Sequence, residues 1–368
     1  MAETEPMPEA GAEAKAARPP RQRLTVGVYI PCYNASRYIG FAIASLLAQR
    51  RRPDRIIVVD DGSTDDSVAI ASRFPIQVVC HQRNRGLSAA RNTGIEHLKT
   101  DVVASIDADC VAHPDWLARL MALLELNPHL MGVAGRLDEW ENTVLADRWR
   151  ARHLLQHWGE ERVVNPRFLF GANTLYRRSH LLALRGYQAA FRTNGEDYDL
   201  SRRMMKEFPK QFLLYEPAAR VHHLRRDTIA SVVNNQWRYL HFPRAVYHPS
   251  PDLKDLWLHT RAVLLYLWTD RVLRDLRDRQ WRFAAISAYA LCYSAWMQVA
   301  AYRRRKRRER EIAADAAAIR QGVAESRQAP PPPPPEEPAV KVATAAAPAI
   351  IAPSSASPLP GGPGPAPT

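Results

Sequence analysis

Aspartates follow two apolar stretches of the chain in an arrangement that could bind a metal ion. Asp60 and Asp61 end one stretch, and Asp107 and Asp109 follow the other. If the chain is extended there, Asp107 and Asp109 point to the same side. Carboxylate oxygens suit Mg²⁺ or Mn²⁺, which commonly bridge to substrate phosphates. The alternative is a pair of strand-end aspartates bonded to turn amides; we favour the metal site.

Four β-type runs position these aspartates, at residues 24–30, 55–60, 77–81 and 102–107. They are apolar almost throughout, as in strands covered on both faces, and they alternate with amphipathic helices. This alternation implies a parallel sheet, whose strand carboxyl ends meet at one edge. The turns that follow the first, second and fourth runs should therefore converge. Ser36 and Ser88 are predicted to cap two of the helices.

The motifs GxGxxG and GxxxxGK[ST], whose glycine-rich turns bind phosphate through backbone amides, are absent from the sequence. Carboxylates stand where such turns carry glycine. A cation is therefore expected to hold phosphate here.

Composition divides the 368 residues into a core between two tails. Charged residues are 24% of the chain, near the globular average, which excludes wholesale disorder. Residues 1–22 and 311–368 are predicted to be disordered, since such Ala- and Pro-rich tails bury too little apolar area. The net charge is +13, and the run 303–310 holds seven basic residues and one Glu. Because the excess charge is concentrated there, nucleic acid is not an expected partner.

Residues 227–310 are predicted to form a helical extension after a catalytic domain at 23–226. Its stretch 283–302 is mostly apolar, with Ser287, Ser294 and Gln298 on one stripe. Three alternatives stay open for this stretch: a helix packed on protein, a helix in a membrane interface, or a spanning helix. The basic run is either a solvated helix end or a contact with an anionic membrane surface, which would extend over 283–310.

The cysteines, Cys32, Cys80, Cys110 and Cys292, show no paired spacing. A disulfide scaffold and a structural zinc site are therefore not expected. The first residues also lack the order of a secretory signal peptide. We expect a cytoplasmic protein, either free or peripheral on the inner face of the cell membrane.

Five motifs in order resemble family 2 glycosyltransferases of the GT-A fold. The first four are Ile30-Pro31-Cys32-Tyr33-Asn34, the block 58–65 reading VVDDGSTD, the block 84–92 reading NRGLSAARN, and Asp107-Ala108-Asp109. The fifth combines Gly171-Ala172-Asn173 with the block 195–200 reading GEDYDL. The resemblance implies a Rossmann-like α/β/α sandwich about a mostly parallel sheet.

The resemblance also implies site residues. Tyr33 would stack on the nucleobase, Asp61 would hydrogen-bond its edge, and Asp109 would be the direct ligand of Mn²⁺ or Mg²⁺. Asp107 would lie nearer the ribose and the metal's waters. Arg91 would either reach the phosphates or pair with a neighbouring Asp. The nucleotide-sugar set is completed by Pro31, Asn34, Asp60, Gly86 and Ala108, and the acceptor-side set is Gly171, Ala172 and Asn173.

The pair Glu196-Asp197 carries the implied chemistry. In inverting members of the family, the Asp of this pair is the general base that takes the acceptor hydroxyl's proton. Adjacent carboxylates in a partly closed site have raised pKa values, which suits a base. We predict Asp197 as base and Glu196 as a positioning residue. The alternative is a capping pair at the start of the helix predicted over 198–208.

Two further features have both a functional and a structural interpretation. His223, favoured over His222, is a candidate third metal or phosphate contact, or else a satisfied structural histidine. The segment 140–158, rich in Trp and Arg, is a candidate acceptor wall, or else an amphipathic helix packed on the sheet.

The sequence thus predicts a metal-dependent inverting glycosyltransferase. Its donor would be a nucleoside-diphosphate sugar, with a UDP-sugar favoured, and its acceptor a cell-envelope or lipid-linked glycan. The alternatives are a non-catalytic or degenerate GT-A binding protein and a phosphotransferase with an Asp nucleophile. Against the phosphotransferase, Cys110-Val111 follows Asp109 in place of a Gly-Thr turn that would seat phosphate.

Overall fold

The computed structural model describes residues 23–140, 143–247 and 253–328. The predicted tail 1–22 lies outside these residues, as does 329–368 of the predicted C-terminal tail. The chain forms two compact units, Met1–Lys306 and Arg307–Thr368. Within the second unit the described backbone is helical, and Arg307 Nε donates to Glu311 Oε1 at 2.8 Å.

The first unit is built around one mixed sheet. Its order is β3-β2-β1-β4-β8-β6-β9-β5, and β7 pairs with β9. The first four strands are parallel, as predicted, whereas β8 runs antiparallel between β4 and β6. The strands are β1 Val26–Cys32, β2 Arg55–Asp60, β3 Gln77–Cys80, β4 Val102–Ile106, β5 Cys110–Ala112, β6 Leu130–Glu139, β7 Val163–Val164, β8 Asn173–Arg177 and β9 Phe212–His223.

Helices cover both faces of this sheet and continue into the extension. A π-helical turn, Leu267–Leu273, joins α9 to α10. The helices are α1 Ile39–Leu47, α2 Ser67–Ala71, α3 Leu87–His97, α4 Trp116–Leu126, α5 Leu145–His153, α6 Arg178–Ala183, α7 Glu196–Glu207, α8 Ile229–Tyr247, α9 Leu253–Tyr266, α10 Arg274–Arg277 and α11 Trp281–Gln328.

Alternation along β1 explains the two cores. Val28 and Ile30 belong to a core shared with α1 and α4, whereas Tyr29 belongs to a second core with α3 and α7. Successive residues of a strand point to opposite faces, so a strand apolar throughout is buried on both sides. This confirms the predicted α/β/α sandwich.

Both predicted helix caps are wrong. α1 begins at Ile39, and the Ser36 N–H donates to Asp65 Oδ2 at 2.9 Å. α3 begins after Gly86, whose φ of 98° suits glycine, and Ser88 donates instead to the Phe191 carbonyl. In both places a tertiary contact takes the serine's hydrogen bond.

One face of α11 packs on the protein. Phe283, Ile286 and Ala290 form a third core with Trp149 of α5 and Val232 of α8. α11 is long and apolar enough to cross a membrane by length and composition alone, but 39% of its most apolar stretch is buried inside the protein. Its helix runs past residue 310, where the sequence placed the start of a tail.

The polar stripe of α11 is also on the buried face. Trp149 Nε1 donates to Ser287 Oγ at 2.9 Å, and Ser287 Oγ donates to Asp275 Oδ2 at 2.6 Å. Gln298 Oε1 lies 3.2 Å from His241 Nδ1. Buried polar groups must find partners, so this stripe fixes α11 against its neighbours. The packed alternative therefore holds for this face of the helix.

We expect Gly135→Ala to destabilise the protein by about 1–3 kcal/mol, the usual cost of overpacking. A Cβ at Gly135 would lie 2.0 Å from the Ala219 carbonyl oxygen, so β6 and β9 would have to separate. Gly40→Ala in α1 is the matched control, because its Cβ would meet Ile70 Cγ2 at an ordinary 3.5 Å. Chemical denaturation should show a lower midpoint for Gly135→Ala only; equal midpoints would contradict the close packing.

Candidate active site

The turns after β1 and β2 meet at one edge of the sheet, as predicted. The Asn34 N–H donates to Ser63 Oγ at 2.9 Å, and the Thr64 N–H donates to Asn34 Oδ1 at 2.8 Å. Asn34 adopts φ 50°, a left-handed conformation that asparagine tolerates. Tyr33, beside it, is 51% exposed. The ring is therefore available to stack on a planar ligand, whereas Pro31 is buried within β1.

Asp60 and Asp61 have different hydrogen-bond environments. Both oxygens of Asp61 are occupied: Oδ1 accepts from the Arg85 N–H and pairs with His81, and Oδ2 accepts from the Gly86 N–H at 2.7 Å. Asp60 Oδ2 accepts from the turn amides of Gly62 and Ser63. Asp60 Oδ1 is buried without a partner among the described residues. Asp60 thus keeps a free acceptor, and Asp61 holds the loop before α3.

Arg91 is buried, with 1% of its surface exposed, and it links the donor edge to the acidic pair. Its guanidinium donates to Gly171 O at 2.6 Å, to Ser105 Oγ at 2.7 Å and to Asp107 Oδ1 at 3.1 Å. Its Nε lies 3.7 Å from Glu196 Oε1. Of the two alternatives for Arg91, the structure shows the ion pair.

Asp109 and His223 form a candidate metal site. Register pairing of Cys110 with His223 brings β5 and β9 together, so His223 Nε2 lies 3.1 Å from Asp109 Oδ2. One ligand atom each from Asp109, Cys110 and His223 lies within 4.8 Å of the others. His222 turns away and packs against Trp140, their rings 5.2 Å apart. The geometry thus favours His223 over His222.

Charges around Asp109 leave it ionised. Burial alone would raise its pKa, but the His223 charge and hydrogen bond outweigh burial and lower the pKa to about 2. Burial would lower the His223 pKa, yet Asp109 and Glu139 raise it to about 9. Burial and Asp109 raise the Cys110 thiol pKa well above its usual value, so this thiol stays protonated.

These donors fit a divalent cation that takes oxygen and imidazole ligands, such as Mn²⁺. Glu139, which the sequence analysis missed, lies 3.5 Å from His223 Nδ1 and also binds Arg150. A carboxylate behind a ligating histidine fixes its ring orientation. The only sequence signal for Glu139 is its place at the end of an apolar run.

Glu196 and Asp197 begin α7 directly after Gly195, whose φ is 92°. Asp197 Oδ1 accepts from the Tyr198 N–H at 2.7 Å, and Oδ2 accepts from the Gly171 N–H at 3.3 Å. Burial, then the neighbouring Asp197, raises the Glu196 pKa to about 8; burial also raises the Asp197 pKa. Asp197 therefore accepts a hydrogen bond within the first turn of α7, and the raised pKa values let the pair hold a proton near neutrality.

The three residues of the acceptor-side motif have different surroundings in the structure. Gly171 contacts both Arg91 and Asp197, and Ala172 is buried next to it. Asn173 is fully buried, and its side chain accepts from Trp116 Nε1 and donates to the Arg136 carbonyl. The side chain of Asn173 is therefore used in contacts within the sheet and with α4. Gly86, like Asp61, shapes the loop at the donor edge.

A cavity of about 730 Å³ opens beside the acidic pair. Its walls include Trp158, Phe168, Phe170, Tyr198 and Tyr239. The segment 140–158 is split: Trp149 packs in the third core, whereas Trp158 lines this cavity and lies 5.3 Å from the Phe168 ring. The acceptor-wall interpretation of the segment stays a prediction, and the packed part of the segment lies against α8 and α11 and not on the sheet. Aromatic faces beside a carboxylate pair suit a sugar ring.

Residues 27–185 match the profile described as Glycosyl transferase family 2. The chain carries a family 2 glycosyltransferase domain. It is 28% identical over 224 residues to the glucosyl-dolichyl phosphate glucuronosyltransferase of Haloferax volcanii, covering 54% of this chain and 69% of that one. It is 33% identical over 239 residues to the pre-mycofactocin glycosyltransferase of Mycobacterium tuberculosis, covering 61% of this chain and 48% of the relative.

The fold is also similar to that of a solved glycosyltransferase. A mannosyltransferase from Pyrobaculum calidifontis, solved in complex with GDP-Man and Mn²⁺, superposes with a TM-score of 0.52 at 17% identity. The match covers 77% of this chain and 90% of that one. The glycosyltransferase domain of this chain thus has the GT-A fold.

Proposed function

We propose that this glycosyltransferase is metal-dependent and inverting, with a nucleoside-diphosphate sugar as donor. The observation that carries the proposal is the Arg91 bridge, which joins Asp107 of the donor edge to Glu196 of the acidic pair. The candidate metal residues Asp109 and His223 lie beside Asp107. A donor held at this edge would therefore present its anomeric carbon toward Asp197.

The nucleotide half of the site supports a uracil-type base. Tyr33 offers an exposed ring for stacking. Asp60 Oδ1, an acceptor without a partner among the described residues, would take a ring N–H such as uracil N3–H. Cytosine lacks that donor. We therefore expect UDP to bind more tightly than CDP, and Asp60, in place of Asp61, to read the base edge.

Asp109 and His223 would hold Mn²⁺ or Mg²⁺, with Asp107 on the ribose side. When bound, the cation would stabilise charge on the departing diphosphate. The Arg91 guanidinium stays in its ion pair with Asp107 and lies next to Glu196, so it keeps both side chains in place. Glu139 keeps the His223 ring oriented.

The transfer step uses Asp197 as base. The acceptor oxygen attacks the anomeric carbon on the face opposite the nucleoside diphosphate, and the carbon–oxygen bond to the diphosphate breaks. Asp197 takes the hydroxyl proton. Glu196, whose raised pKa keeps it protonated near neutral pH, leaves the negative charge of the pair on Asp197. A single displacement of this kind inverts the anomeric configuration.

The acceptor is proposed to be a hydroxyl of a cell-envelope or lipid-linked glycan. The Haloferax volcanii relative carries glucosyl-dolichyl phosphate in its name, which supports the lipid-linked class. The aromatic cavity beside Asp197 supplies room for a sugar, since its volume lies in the range of small-ligand pockets.

Nucleotide binding tests the donor proposal. At about 100 times its dissociation constant, a nucleotide stabilises a protein by roughly 2.7 kcal/mol, which is visible in thermal melting. With Mn²⁺, UDP should raise the melting temperature more than CDP, with GDP and dTDP measured alongside, and EDTA should abolish the shift. Asp109→Asn should also lose it, whereas Glu96→Gln, at an exposed position of α3, should keep it.

If none of the four nucleotides changes the melting temperature of the unsubstituted protein, the degenerate binding-protein alternative is favoured. A shift that persists in EDTA and in Asp109→Asn would instead exclude the metal role of Asp109.

If Asp197 is the base, substitutions of Asp197 and Glu196 should have different effects on transfer. Asp197→Asn should reduce transfer by about 10²–10⁴-fold, the range for a general base, while nucleotide-dependent stabilisation persists. Glu196→Gln should retain most activity, because glutamine mimics the protonated acid. Product anomers read by NMR should be inverted relative to the donor. Equal losses in the two variants, or retained configuration, would refute the assignment.

We also propose that the helical extension contacts an anionic membrane surface, on the cytoplasmic side expected from the sequence. A groove of about 500 Å³ runs along α9 and the π-helical turn, lined by Trp257, Leu265 and Trp268, and it reaches Leu291 of α11. Trp296 of α11 is 63% exposed. Exposed tryptophans suit the headgroup region of a bilayer, and each nearby basic residue adds about 1 kcal/mol on an anionic leaflet.

Basic residues lie next to the tryptophan-bearing face of the extension, and their positive charge is the reason for proposing a lipid partner. Arg303 and Arg304 are exposed on α11, and the basic run continues along the chain to residue 310. An acidic leaflet complements this charge, whereas a second copy of the same basic face would repel it.

Vesicle sedimentation tests the membrane surface. The protein should sediment with phosphatidylcholine vesicles that contain phosphatidylglycerol, and less with phosphatidylcholine alone. Trp257→Ser with Trp268→Ser should reduce binding to both, and Arg303→Gln with Arg304→Gln should remove the preference for phosphatidylglycerol. Trp140→Ser is the control, since Trp140 is similarly exposed but lies against His222. Equal loss in this control, or no sedimentation by the unsubstituted protein, would overturn the proposal.

A further inference from the structure

The cavity beside Asp197 has an uneven distribution of charge. Two carboxylates line it, and both belong to the acidic pair, Glu196 and Asp197. The same lining contains five arginines, Arg152, Arg167, Arg244, Arg271 and Arg274. A glycan hydroxyl needs the carboxylates only, so the arginines call for a separate explanation.

Three of these arginines form one wall, here called the arginine wall: Arg152, Arg271 and Arg274. Arg152 and Arg271 meet around His153, because Arg271 Nη1 donates to His153 Nδ1 at 3.3 Å and Arg152 shares Asp275 with the same histidine. Arg274 follows the π-helical turn that carries Arg271. The wall therefore joins α5 to the start of α10.

The acids that balance this wall do not line the cavity. Asp275 is fully buried and binds Arg152, His153 and Ser287. Asp278 pairs with Arg152, and Asp270 pairs with Arg271 at 3.1 Å. Because these carboxylates lie outside the lining, the cavity itself faces guanidinium groups.

Arg271 is held rigidly but keeps an unused donor. It is 8% exposed, its Nη2 donates to Tyr266 Oη at 2.7 Å, and its guanidinium lies 5.3 Å from the Tyr266 ring centroid. Its Nε is buried without a hydrogen-bond partner among the described residues. An unpaired donor on a buried cation costs free energy, but because this atom is itself buried, Arg271 offers the cavity its charge and not that donor.

Arg274 is the second open cation of the wall. It is half-buried and lines the cavity, and the described part of the chain gives it no acidic partner. The neutral residue Gln236 also lines the cavity; it is 2% exposed, and its Oε1 is buried without a partner among the described residues. Such an oxygen accepts from a sugar hydroxyl. The cavity thus offers separate sites for a sugar and for an anion.

We propose that the acceptor carries a phosphate group, which Arg271 and Arg274 bind while a sugar hydroxyl of the same molecule reaches Asp197. This inference rests on the proposed function of the acidic pair. Phosphate fits better than carboxylate because one arginine fork already fills a carboxylate, whereas phosphate presents oxygens to two guanidinium groups. The group is either a free glycosyl phosphate or the phosphate of a lipid-linked sugar.

Calorimetric titration of the full chain tests the proposal without nucleotide and in EDTA. The probes are inorganic phosphate, a panel of hexose 1-phosphates and the matching methyl hexosides. At least one hexose 1-phosphate should bind more tightly than its methyl hexoside. Arg274→Gln should weaken that binding about tenfold or more, as for a charged hydrogen bond. Arg277→Gln is the matched control, because Arg277 is on the same helix but exposed and outside the lining.

The outcomes separate this inference from the proposed function. The phosphate site would be overturned if every hexose 1-phosphate bound no more tightly than its methyl hexoside. It would also be overturned if Arg274→Gln and Arg277→Gln weakened hexose 1-phosphate binding equally. Asp109→Asn should not change phosphate binding. The titration therefore tests the phosphate site even if the metal proposal is wrong. Arg271→Gln should repeat the Arg274→Gln result where thermal melting shows a folded variant.

A final arm identifies the source of the phosphate. The bound hexose 1-phosphate is compared with its ester to a short isoprenoid alcohol. Tighter binding of the ester indicates a lipid-linked acceptor, and tighter binding of the free phosphate indicates a soluble one. Either result supports the phosphate site. If neither the ester nor the free hexose 1-phosphate binds, the proposed phosphate site is wrong.

Discussion

The buried Arg91 guanidinium is the interaction on which the site depends. A cation taken out of water is costly unless charges and hydrogen bonds replace its hydration. Here Asp107 supplies the opposite charge, Ser105 and the Gly171 carbonyl accept hydrogen bonds, and Glu196 Oε1 lies 3.7 Å from the Arg91 Nε. These four groups come from β4 and its turn, the segment before β8 and α7. Satisfying one arginine therefore forces the donor edge and the acidic pair into one site.

Environment then separates carboxylates of similar chemistry. His223 lowers the pKa of Asp109, whereas burial and a second carboxylate raise the pKa of Glu196. Pairs of acids whose surroundings push their pKa values apart commonly divide the roles of ligand and proton carrier. The GT-A fold places these two environments at the same edge of the sheet, and the extension closes the far side with arginines and aromatic rings.

The motif order predicted much of this arrangement. The four parallel strands and the convergence of their turns lie where short-range patterns place them. Predictions about hydrogen bonds were less successful. Ser36 and Ser88 are not helix caps. Each error arose because a partner distant in the chain took the hydrogen bond that a local pattern assigned.

The sequence by itself determined the fold class and the carboxylates at the strand ends, because hydrophobic periodicity and motif spacing are local properties of the chain. Only the tertiary structure decided which oxygen stays free, as with Asp60 rather than Asp61. It also decided that the polar stripe of α11 faces inward and that Arg271 and Arg274 join Asp197 around one cavity. Such outcomes depend on which distant groups compete for each buried donor and acceptor, and no local pattern encodes that competition.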